Sequence, residues 1–288
     1  MQGRVKTYYS LMKPGVLYGN ALTAAAGFLL ASRGHINIGL FLALFFGSSL
    51  VIGSACVLNN YLDRDIDSVM ERTKQRAVAN GTIRGRNAVI FSILLGITGL
   101  ILLLLYTNLL VVGIGVVGFI DYVVLYGMLS KRLSVHGTLV GSISGATPIL
   151  AGYCAVTGRI DAGAIIVFLM LFLWQLPEFY SIAIYRHDEY KAAGVPVISV
   201  VKGIAHTKLQ ILLYTIAFVV TTLMLTVFGY TGYIYFGVML ALGLYWIWLA
   251  LTGFKAADSD RWARRMFRFS LVMILALCLM VSVGPLLP

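Results

Sequence analysis

Asn59-Asn60-Tyr61-Leu62-Asp63-Arg64-Asp65-Ile66-Asp67 follows directly on the apolar run 37–58. Asn59, Asp63 and Asp67 recur at every fourth position. At about 100° per residue this spacing keeps all three on one helical face, over a rise of about 12 Å. Two carboxylates one turn apart repel unless a cation lies between them. Hard oxygen donors of this kind suit Mg2+, which takes one or two carboxylates together with phosphate oxygens and water. A solvated helix end with Arg64 and Lys74 as partners would use the same residues. Position favours the first reading, because acids that prolong a membrane-spanning helix are costly and are kept where they act.

The rest of the chain shows that the preceding run spans a membrane. Of 288 residues, 60% are apolar and 11% charged, against about 45–50% and 25% in a soluble domain. So apolar a chain excludes a soluble dehydrogenase, nuclease or binding module. About nine stretches can cross ~30 Å of hydrocarbon. They are 15–32, 37–58, 88–106, 109–128, 137–157, 162–182, 208–228, 233–252 and 267–286. The expected fold is an all-α integral membrane protein, a single polytopic domain over 1–288 with about nine transmembrane helices. With the N-terminus cytoplasmic and the C-terminus outside, only Arg33 and Arg159 of the 22 Lys and Arg residues fall on the outer side. This is the positive-inside bias. It accounts for most of the net charge of +11 without a nucleic-acid partner. No small-residue cleavage motif follows the first run, and no Arg/Ser-rich presequence precedes it; a retained first helix in a bacterial inner membrane is expected. Cys56, Cys154 and Cys278 lie in apolar runs with no metal-ligand spacing and read as core residues.

Two connections are long and polar, 59–87 and 184–207. Both are expected on the cytoplasmic side and to carry catalysis. In the first, Glu71-Arg72-Thr73-Lys74-Gln75-Arg76 places three cations just after the acids. Anchoring needs cations alone; a magnesium–diphosphate site needs acids and cations interleaved, with Arg forks taking phosphate oxygens. The second begins with Tyr185-Arg186-His187-Asp188-Glu189-Tyr190-Lys191. Before it, Trp174-Gln175-Leu176-Pro177-Glu178 sets a proline in an apolar helix, where a kink or break is expected, with Gln175 and Glu178 at membrane depth. Lys131-Arg132 follows the fourth span. Polar chemistry therefore clusters after spans two, four and six, on one side. Asp121, inside the fourth span, is expected to be neutral, paired or facing a cavity, with Tyr122 and Tyr126 as nearby hydroxyls. Asn20 reads as an interhelical hydrogen-bonding residue.

Asn59-x-x-x-Asp63-x-x-x-Asp67 followed by Arg72-Thr73-Lys74-Gln75-Arg76 resembles the UbiA superfamily of intramembrane prenyltransferases. Lys13-Pro14, the stretch from Lys131-Arg132 through Gly137–Ser142 to Ser144-Gly145-Ala146, Trp174–Pro177, Tyr190–Pro196 and Trp262-Ala263-Arg264 are similar to its protoheme IX farnesyltransferase (heme O synthase) branch. The resemblance covers nearly the whole chain. It implies nine spans around a central cavity, Mg2+ on Asp63 and Asp67 with Asn59 assisting, and farnesyl diphosphate as donor. Arg72, Lys74, Arg76, Lys131, Arg132 and Arg186 would bind its diphosphate. Heme B would be the acceptor substrate, not a redox cofactor; farnesyl addition to its 2-vinyl group and capture of water would give heme O for a downstream heme-using terminal oxidase. Gln175, Glu178, His136 and His187 would face the heme, and Asp188 and Glu189 would join the catalytic acids. The branch usually carries His where this chain has Glu178, so a role in iron ligation or proton transfer would pass to a carboxylate. His35 and His206 read as surface residues. A quinone-precursor prenyltransferase shares the diphosphate half of the site. An ion-coupled transporter would set its charges nearer the midplane, on broken helices. The aspartate pattern of CDP-alcohol phosphotransferases is absent.

Overall fold

The computed structural model describes residues 2–288. Among them nine helices are long and apolar enough to cross a membrane. A short surface helix, α1 (Gln2–Leu11), precedes the first span, α2 (Pro14–Ser32). α3 (Ile38–Leu62) leads into the short α4 (Arg64–Val69), and α5 (Gly85–Tyr106) returns. The fourth span is composite: α6 (Leu109–Ile120) passes into a π-helical stretch, Asp121–Ser130, and ends in α7 (Lys131–Leu133). α8 (Gly137–Thr157) and α9 (Ala162–Tyr185) follow. After α10 (His187–Ala192) and α11 (Ile198–Lys202), the chain crosses as α12 (Ile204–Val227), α13 (Tyr233–Thr252) and α14 (Ser259–Val283).

Polar residues in the short connections start the helices. Side-chain oxygens of Asn37, Asn108, Asp161 and Asp258 accept from backbone N–H groups three residues on, at 2.9–3.0 Å, and cap α3, α6, α9 and α14. Asp258 explains why the last span begins at Ser259 and not near 267: its first turns carry Arg261, Arg264, Arg265 and Arg268, which a search for apolar runs passes over. Pro177 does not break α9, which is continuous from Ala162 to Tyr185. Gln175 Nε2 donates to Leu171 O at 2.9 Å and to Ser142 O of α8 at 3.2 Å within that stretch.

Helix pairs meet through small residues and reciprocal hydrogen bonds, as expected where lipid supplies no hydrophobic drive. Ser54 and Ser92 exchange side-chain-to-carbonyl bonds of 2.7 and 2.9 Å between α3 and α5. α2 and α8 touch backbone to backbone at Gly27 and Gly152. α2 also contacts α3 and α14, and α9 contacts α8, α12 and α14. These contacts leave a hollow bounded mainly by α2, α3, the fourth span, α8, α9 and α14.

Candidate active site

The hollow has a volume of about 860 Å³. Its polar end is built from the segments after spans two, four and six. The first supplies Asp63, Asp67, Arg72 and Arg76, the second Lys131 and Ser134, and the third Tyr190 and Pro196. Its body is apolar and aromatic, with Phe119, Tyr122, Tyr126 and Trp174 among the walls. On one side the lining reaches the lipid-facing surface between α2 and α14, where Leu22, Leu271 and Leu275 are exposed.

The four-residue spacing survives the end of α3. Asp63 N donates to Asn59 O at 2.9 Å and Asp67 N to Asp63 O at 2.8 Å, so α4 continues the same face. Both carboxylates are buried, Asp63 at 1% and Asp67 at 3% exposure. A solvated helix end is therefore excluded. Arg64 and Lys74 are not their partners: Arg64 donates to Tyr61 O and lies over the Tyr61 ring, while Lys74 pairs with Glu71. The cations opposite the acids are Arg76, with both Nη1 contacts to Asp67 (2.9 and 2.7 Å), and Lys131, whose Nζ lies 2.5 Å from Asp63 Oδ2. Buried anions require such compensation. Asp63 Oδ1 and Asn59 Nδ2 remain buried without a hydrogen-bond partner. Arg132 lies 3.9 Å from Asp63 Oδ1, too far for a hydrogen bond.

Lys13, which the sequence reading counted among the cytoplasmic cations and within the Lys13-Pro14 resemblance but not among the site residues, belongs to the site. Its Nζ donates to Asn59 Oδ1 at 2.5 Å, and it lines the hollow. Its backbone is left-handed, with φ 53°, immediately before the helix-starting Pro14. Burial pulls its ammonium down to about 8. The signal lay in its position, a cation pressed against the first span by a proline, but its partner is 46 residues away. Tyr190 also enters the wall, and burial raises its phenol.

The remaining expected residues separate into two groups. Gln175 and Glu178 line the hollow. Lys74, Arg132, His136, Arg186, His187, Asp188 and Glu189 do not. Arg132 instead clamps α4, donating to Asp65 through two 2.7 Å bonds and to Leu62 O; these bonds hold the Asp65 carboxyl well below the usual carboxylate range. His136 is exposed. Arg186, His187, Asp188 and Glu189 border a separate hollow of about 290 Å³ with Asp260 and Arg264. There Arg186 pairs with Glu189 at 2.7 Å, an i,i+3 contact that turns both away from the larger hollow. Asp121 is buried between α8 and the fourth span, with Oδ2 accepting from Ser144 N at 2.9 Å. Asn20 bonds its own helix at Val16 O rather than a neighbour.

The sequence profile of the UbiA prenyltransferase family matches residues 20–272. A protoheme IX farnesyltransferase of Yersinia enterocolitica is 50% identical over 279 residues, 97% of this chain and 94% of the relative. A structure described as digeranylgeranylglyceryl phosphate synthase superposes with a TM-score of 0.83 at 21% identity, covering 99% of both chains. A UbiA homologue from Archaeoglobus fulgidus bound to GPP and Mg2+ superposes with a TM-score of 0.71 at 14% identity, covering 96% of this chain and 99% of that one.

Proposed function

The chain belongs to the UbiA prenyltransferase family, and from that membership we propose that it transfers a farnesyl group from farnesyl diphosphate to the 2-vinyl group of heme B, with addition of water, giving heme O and diphosphate. Farnesyl transfer to protoheme IX is the activity in the name of the Yersinia relative. The observation that carries the reading is a single hollow with interleaved acids and cations at one end and apolar, aromatic walls below. That combination suits a substrate with a charged diphosphate head and a long hydrocarbon tail.

Asn59, Asp63 and Asp67 would hold Mg2+. The donors are hard oxygens, and the unpartnered Asp63 Oδ1 leaves coordination capacity on the buried carboxylate. When bound, Mg2+ supplies Lewis-acid stabilisation of the departing diphosphate. Arg72, Arg76 and Lys131 neutralise diphosphate charge, and Lys13 orients Asn59 while adding a positive charge beside it. The ring faces of Tyr122, Tyr126 and Trp174 stabilise an allylic cation in the chamber below. The cation distribution supports a cytoplasmic N-terminus, an outer C-terminus and a site facing the cytoplasm of a bacterial inner membrane.

Incubation of the purified protein with heme B, farnesyl diphosphate and Mg2+ should yield a porphyrin heavier by one farnesyl group plus one water. Unmodified heme alongside prenylation of a quinone precursor would replace this reading with the other acceptor class. Within the site, Lys13→Met should weaken farnesyl diphosphate binding by about 10–100-fold, the value of a lost charge-assisted contact. His136→Ala, at an exposed position outside the hollow, should leave KM and kcat within about twofold. Steady-state kinetics on both variants check this contrast.

A further inference from the structure

We propose that Glu178 is the base that deprotonates the water added to the porphyrin side chain, an assignment that rests on the function proposed above. Three carboxylates line the hollow: Asp63, Asp67 and Glu178. The first two are paired with Lys131 and Arg76. Glu178 has no ion pair or side-chain hydrogen bond among the described residues, although it is only 8% exposed. Asp121, the other membrane-depth acid, accepts from Ser144 N and does not line the hollow. His136 and His187 are outside it as well. The tyrosine hydroxyls in the wall are weak bases at neutral pH. Glu178 is thus the uncommitted proton acceptor in the chamber.

Its depth fits the step. Glu178 lies seven residues before the Tyr185 end of α9, roughly 10 Å along the helix at 1.5 Å per residue. That places it below the diphosphate-binding end, toward the acceptor. The reaction proceeds by breaking the C1–oxygen bond of farnesyl diphosphate and forming a bond from farnesyl C1 to the terminal vinyl carbon. The positive charge then rests on the vinyl carbon attached to the porphyrin ring. The positive charge arriving beside it supplies the compensation that the buried Glu178 carboxylate otherwise lacks, and the carboxylate stabilises that charge in turn. Water oxygen bonds to this carbon, one water proton passes to the Glu178 carboxylate, and the hydroxyl remains on the product. Without the base, the same cation loses a proton from the adjacent CH2 to the departing diphosphate or solvent, leaving an alkene that lacks the water.

The discriminating measurement is product partition. Full-length wild type, Glu178→Gln and Glu178→Asp are each given heme B, farnesyl diphosphate and Mg2+, and hydrated and dehydrated farnesyl-hemes are resolved by mass. Wild type should give the hydrated product. Glu178→Gln should lower its formation by about 10²-fold or more, the usual contribution of a general base, and divert the remaining flux to the dehydrated alkene. Glu178→Asp, which keeps a carboxylate one methylene shorter, should be slower but still favour the hydrated product. The same partition in all three proteins overturns the proposal, whatever the total rates. A changed heme absorbance spectrum in Glu178→Gln with unaltered partition also overturns it and assigns Glu178 to the iron. No farnesylated porphyrin from wild type, with another acceptor prenylated, defeats the function reading and this assignment with it.

Discussion

Asp63→Asn and Asp67→Asn should each lower farnesyl transfer per folded molecule by about 10²–10³-fold, the scale seen when a preorganised charge-stabilising group is lost. Each change removes a formal charge and an anionic donor from a buried pair. Folding should suffer far less. Lys131 and Arg76, 20% and 26% exposed at the side chain, stay in contact with solvent, and an Asn Oδ1 still accepts from either. Asp65→Asn is the internal control. Asp65 is 63% exposed and pairs with Arg132 outside the hollow, so its removal costs at most about 1 kcal/mol of stability. Turnover measured against the folded fraction from size exclusion separates the cases. Near-normal turnover in either Asp63 or Asp67 variant would discard the diphosphate–metal assignment.

The second large effect is mechanical. A Cβ on Gly152 would lie 2.0 Å from Ala24 O, and one on Gly27 would lie 2.1 Å from Ile149 O. Both obstacles are backbone carbonyls, so no side-chain rotation relieves them; α2 and α8 must separate. Overpacking alone costs about 1–3 kcal/mol, and here the loss of contact along two helices adds to it. Gly152→Val should abolish recovery of folded protein, and Gly152→Ala should lower the melting temperature by several degrees. Thr23 and Ala151, which line the hollow beside this contact, would shift with the helices, so Gly152→Ala should also lose activity. Gly237→Ala in α13 is the matched control: its Cβ meets nothing within 4 Å. Replacing glycine within a helix there should be neutral or stabilising by up to about 1 kcal/mol. Equal melting temperatures for Gly152→Ala and Gly237→Ala would refute the close contact.

Span number and most boundaries were legible because hydrophobicity is a local property. The run expected at 137–157 is α8 residue for residue. Misplaced ends occur where a helix leaves the apolar region: α3 runs on through Asn59 to Leu62, and α14 starts among arginines. The π-helical stretch Asp121–Ser130 had no readable cue, since hydrogen-bond register is not a property of composition. Within the site, the Asn59–Asp63–Asp67 face was legible because helical geometry fixes its period. Which cation meets which acid was not. Lys131 reaches Asp63 across 68 positions of chain, and the nearer Lys74 turns to Glu71. Arg186 and Glu189 show the converse: they lie within four residues of the wall-forming Tyr190, yet they pair with each other and border another hollow.

Lys13 carries a last consequence. An L-residue in the left-handed region costs about 1–2 kcal/mol that glycine would not incur. The chain accepts that penalty at the joint between a surface helix and a span, where the side chain delivers its ammonium to Asn59. Lys13→Gly would remove that penalty but leave the buried Asn59 Oδ1 unpaired, at about 1–3 kcal/mol, so the melting temperature should move little while the grip on substrate is lost. Backbone strain and side-chain contact offset one another at one residue, and only the contact serves catalysis.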